Sequence, residues 1–154
     1  MSRAERAKEL FLQGYACSQA VVLAFADVVR VDEATLYKIA LPFGGGLGRL
    51  RLTCGAVSGM AMVIGLLYSE TENAPENKKK TYAIVQELCG KFQDANGSLI
   101  CAELLSGMKV PVQVGGEAEA RTAEYYRKRS CGDMVYHAAD ILEEYIKKSG
   151  IITL

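Results

Sequence analysis

The stretch at 43–65, FGGGLGRLRLTCGAVSGMAMVIG, decides how the rest of the chain reads. Four glycines fall within five positions, Gly44, Gly45, Gly46 and Gly48, ahead of a cysteine that opens an apolar run. Glycine permits positive φ and close backbone approach, and a position at the start of a helix lowers a thiol's pKa. The segment therefore reads as a chemical site. Thr53 is the expected cap and Cys54 the first helical residue. At a 3.6-residue period Cys54, Ser58, Ala61 and Gly65 share one face, with Gly55, Gly59 and Met62 beside them. Side chains this small allow another element to pack very close.

Upstream, residues 2–30 carry a helical apolar pattern that Gly14 interrupts, predicting a kink or two abutting helices. Asp32 caps a short helix at 33–40 that Pro42 ends. Downstream, the turn at 73–76 leads into a helix over 77–92, and DANGS at 94–98 announces a short helix begun by Ser98, with Cys101 in its first turn. The stretch 106–116 reads as a connection and 117–129 as a helix. Ser130 and Asp133 resemble a capping box that sets Cys131 at the start of a last helix reaching Lys148. No strand alternation appears, so the expected fold is all-α: one compact helical bundle spanning 1–154, with a glycine-rich loop between helices.

With 154 residues, half of them hydrophobic, the chain fits one domain with a core of its own. Lys plus Arg equals Asp plus Glu at 18 each, so no net field favours nucleic acid or an anionic membrane. The basic runs at Lys78, Lys79, Lys80 and at Arg127, Lys128, Arg129 read as solvated helix surface. The most apolar run, 56–67, is shorter than the ~20 residues that cross a bilayer, which predicts no transmembrane span. The N-terminal MSRAERAKELFLQG has no long apolar region of a secretory signal. A cytoplasmic location is the expectation, where thiols are kept reduced.

Five cysteines in that setting point to metal binding or redox chemistry. Cys54, Cys101 and Cys131 each fall in the first turn of an expected helix, and Cys17 follows the Gly14 break. Unpaired N–H groups at such positions favour the thiolate needed for attack or for ligation. The gaps of 37, 47 and 30 residues match no CxxC arrangement, so a joint site has to be assembled by tertiary packing. Inert core filling is the alternative. Cys89 lies in mid-helix and reads as packed, and His137 reaches the Cys131 site only from an adjoining face. The glycine loop lacks the GK[ST] of a phosphate-binding loop. A tight turn bringing Gly44, Gly45, Gly46, Gly48 and Gly55 close to the thiols is its first reading. The second is anion or cofactor binding by the same five glycines and Arg49, with Arg51 standing beside the helix terminus.

Taken together, GYACSQAV at 14–21, FGGGLGR at 43–49, TCGAVSGMAMVIGL at 53–66, SLICAELL around Cys101 and RSCGDMV around Cys131 resemble the C_GCAxxG_C_C family, whose description implies redox activity. The family's four shared cysteines fall on Cys17, Cys54, Cys101 and Cys131, with Cys89 outside the set. Ala16 departs from the Asn often found before the first cysteine. Related domains accompany haem in split-Soret cytochromes, so the resemblance implies electron transfer through an iron–sulphur cluster or another thiolate-bound metal. No CxxCH is present for covalent haem.

Three readings follow. The four shared cysteines ligate a metal or iron–sulphur centre; or they perform thiol–disulfide exchange with Cys54 attacking; or they pack inertly in a non-enzymatic helical protein, for which a homodimer is one form. An external redox partner is implied by the first two.

Overall fold

The computed structural model describes all 154 residues as helices and their connections, with no sheet. In chain order the helices are α1 (Arg3–Leu12), α2 (Cys17–Leu23), α3 (Ala26–Val29), α4 (Glu33–Ala40), α5 (Gly44–Leu47), α6 (Gly55–Tyr68), α7 (Pro75–Asn96), α8 (Cys101–Gly107), α9 (Ala123–Lys128) and α10 (Cys131–Ser149). A 3₁₀ turn at Leu41–Phe43 joins α4 to α5. The fold is a single-domain bundle, and no helix is long and apolar enough to cross a membrane.

Local chemistry explains most boundaries. Ser2 and Glu5 form a reciprocal capping box at the start of α1. Gly14, at φ +102°, breaks the chain between α1 and α2, so the 2–30 pattern resolves into two helices and a further single turn. Asp32 caps α4 as its position predicts, accepting from the Thr35 N–H.

The core is built on period-3.6 stripes. Helix α1 buries Ala4, Ala7, Leu10 and Phe11 against α10, which buries Val135, Ala138, Ala139, Leu142 and Ile146. The long α7 contributes only Ile84, Leu88 and Phe92 and leaves its other faces in water, including Lys78, Lys79 and Lys80. Helix α2 crosses α6 at its small face, where a Cβ on Gly59 would stand 2.7 Å from the Ser18 carbonyl oxygen. Two polar side chains buried on α2 are satisfied by α4: Ser18 donates to the Ala40 carbonyl at 2.7 Å and Gln19 to that of Tyr37 at 3.0 Å.

Four sequence expectations are corrected. Thr53 does not cap α6; it makes an antiparallel bridge with Ile100, and Cys54 itself is the N-cap residue. Helix α8 starts at Cys101 with Ile100 as its N-cap, because Ser98 accepts from the Ile100 N–H in a surface turn ahead of it. Residues 117–122 are not helical, and α9 begins after Thr122, because Arg121 and Glu119 are drawn towards the bundle. No capping box forms at Ser130, since Asp133 pairs with Lys8 at 2.9 Å instead.

Candidate functional site

Residues 44–52 form the wall of the site. Gly45, Gly46, Leu47, Gly48, Arg49 and Arg51 all have φ between +57° and +72°, a left-handed turn that L side chains resist. Crossed backbone bonds hold it: Arg51 N–H to the Gly45 carbonyl at 3.1 Å, Leu52 N–H to that of Gly46 at 2.8 Å. The turn then docks on α8, with the Cys101 N–H donating to the Leu52 carbonyl at 2.6 Å and the Ala102 N–H to that of Arg51 at 3.2 Å. A Cβ on Gly46 would lie 2.6 Å from the Cys101 Cβ and 2.8 Å from the Arg51 Cα, and one on Gly55 would collide with the Cys17 sulphur.

Behind this wall is a cavity of about 300 Å³ lined by Cys17, Cys54, Cys101 and Cys131. Three of the four are the first residue of their helix and Cys54 is the N-cap. All are free thiols. Gly44, Gly45, Gly48, Arg49 and Gly55 also line the space, whereas Gly46 stands behind it against Cys101. Cys89 and His137 are elsewhere: the first is a half-buried residue of α7, and the second has Nδ1 2.6 Å from Asn96 Oδ1.

The electrostatics differ from the simple helix-terminus expectation. Burial pushes the Cys54 thiol well up, and charge at Cys17 adds to this, while the Ala56 and Val57 N–H groups oppose it. Burial likewise raises Cys131 to about 12, reinforced by Cys17 and Cys101 and opposed by Arg129 and Arg121. At Cys101 burial again raises the pKa and the Arg51 guanidinium pulls it back. Desolvation thus outweighs the helix poles at these three thiols. Charge at Cys17 adds to the rise at all three.

Sequence reasoning missed the cover of this cavity. Residues 109–122 cross it as a strap, secured by Arg49, which donates to the Gly115 and Glu117 carbonyls, and by Arg51, which donates to that of Gln113. Arg121 donates to the Phe11 and Tyr15 carbonyls and stacks 4.3 Å from the Phe11 ring centre. Arg129, read from sequence as solvated, is 8% exposed and pairs with Glu119 at 2.5 Å. Only its place two residues before Cys131 could have signalled this.

Four thiols held at helix ends around one covered cavity define a cysteine-centred helical domain. The profile described as "Putative redox-active protein (C_GCAxxG_C_C)" matches residues 15–145, and the chain belongs to that family. No curated protein and no solved structure matches it.

The donors do not suit a single metal ion, because no three His, Cys, Asp or Glu side chains converge on one point. What the structure does give is four thiols lining one cavity from separate segments of the chain.

Proposed function

We propose that this protein is a one-electron carrier whose Cys17, Cys54, Cys101 and Cys131 hold an iron–sulphur centre within the cavity. The observation supporting this most strongly is that four thiols from four separate segments line one cavity. Such a centre, when bound, supplies reversible electron storage at thiolate-ligated iron.

The chain's own residues do the rest. The Ala56 and Val57 N–H groups favour the thiolate at Cys54, and the Arg51 guanidinium favours it at Cys101. Gly46 and Gly55 let the backbone approach where a methyl group would displace Cys101 or Cys17. Arg49 ties the strap across the cavity by donating to the Gly115 carbonyl. Thiol–disulfide exchange with Cys54 as nucleophile is the weaker reading, since that thiol is buried and its ionisation opposed.

The test is anaerobic reconstitution with ferrous iron and sulphide, followed by visible and electron paramagnetic resonance spectroscopy. A coloured protein that bleaches on reduction and gives a signal in one redox state is expected. A colourless product without bound iron would remove the proposal.

A further inference from the structure

The charge lining the cavity is lopsided. Arg49, Arg51, Arg121 and Arg129 face it with Glu119 as the one carboxylate, an excess of three positive charges when the thiols are neutral. Arg49 and Arg129 share Glu119, and Arg121 is occupied by two carbonyls and the Phe11 ring. Arg51 differs from Arg49 and Arg129 in having no carboxylate partner, and from Arg121, which also has none, in having one carbonyl acceptor and no ring against it. It is 6% exposed, makes no ion pair, and directs Nη1 to Cys101 Sγ at 3.8 Å while Nε donates to the Gln113 carbonyl. A guanidinium removed from water without an anion is costly. Its backbone adds strain, at φ +62°, and is pinned to α8 through the Ala102 N–H. The left-handed turn thus forces a bare cation against one particular sulphur.

We propose that Arg51 is the buried counter-ion of a net-negative occupant of this cavity, seated at its Cys101 corner. The inference rests on the four-thiol reading only for where the negative charge resides. In an iron–sulphur centre the four thiolates outweigh the positive core, so the occupant is anionic and becomes more so on reduction. A cation beside it then favours the reduced state. The same corner suits a free oxyanion, whose oxygens accept from the guanidinium's remaining donors.

The experiment compares wild type, Arg51→Gln and Arg51→Lys, with Arg51→Met replacing the first should it not fold. In protein that takes up iron, R51Q is expected to lower the equilibrium constant for one-electron reduction at least tenfold, about 59 mV, while R51K stays near wild type. Failure of folded R51Q to take up iron that R51K accepts supports the proposal equally. If wild type takes up no iron, thermal unfolding in sodium sulphate is compared with sodium chloride at equal ionic strength. A larger sulphate stabilisation in wild type than in R51Q then assigns the site to a free oxyanion, and it sinks the iron–sulphur reading but keeps the counter-ion. An unchanged potential in loaded R51Q, or equal sulphate effects in iron-free proteins, overturns the proposal.

Discussion

The seam between α1 and α10 and the wall formed by residues 44–52 lie in one small bundle but are held by opposite means. Along the seam, Ala4, Ala7, Leu10, Phe11, Val135, Ala138, Ala139, Leu142 and Ile146 are all buried, helical and hydrocarbon. In the wall, left-handed residues, a buried guanidinium and a glycine pressed on a cysteine replace them. The seam gains free energy from apolar burial, and the wall costs free energy in backbone strain and desolvated charge. Such a division is expected where a scaffold supports a chemical site: the seam can be repacked, whereas the wall has a set geometry.

The largest effect is expected at the wall. Gly46→Ala should destabilise the protein by about 2–5 kcal/mol, combining a left-handed alanine with overpacking on Cys101, and it should also abolish iron uptake. Denaturant unfolding and iron analysis check both. Leu142→Ala, in the seam, should cost about 3 kcal/mol through its cavity but leave iron per folded chain unchanged. Equal iron loss in the two variants would erase the distinction between scaffold and site.

A smaller effect concerns pH. In the metal-free protein the Cys131 thiol titrates near 12 when folded but near ~8.5 when unfolded. The folded state therefore retains a proton that the unfolded state releases, and stability is full below about pH 8.5 and falls as pH rises towards 12. Cys131→Ser should flatten this decline in a series of melting temperatures, whereas Cys89→Ser, whose thiol burial raises less specifically and away from the cavity, should flatten it less. The smallest effect is expected at Leu47, 40% exposed at φ +70°. Leu47→Gly should change stability by no more than about 1 kcal/mol, relief of strain being offset by unfolded-state entropy, with iron uptake retained.

The two regions were unequally legible in the sequence. The seam's stripes, the Gly14 break and the Asp32 cap follow from local periodicity and capping chemistry. So does the placing of cysteines at helix starts, although Cys54 occupies the cap expected at Thr53. The glycine cluster announced unusual backbone, but its hand at Leu47, Arg49 and Arg51 depends on docking against α8, which no local pattern encodes. The strap was hidden for the same reason: 117–122 has helical composition, and only the tertiary pull on Glu119 and Arg121 keeps it out of a helix. Burial of Arg129 and the rise in thiol pKa likewise arise only once the cavity is enclosed.

The most direct measurement is iron and acid-labile sulphide per chain after anaerobic reconstitution of wild type and five single Cys-to-Ser variants. The account predicts bound iron in wild type and C89S, and marked loss in each of C17S, C54S, C101S and C131S with folding retained. Iron-free wild type, or iron retained equally in all five variants, would contradict it.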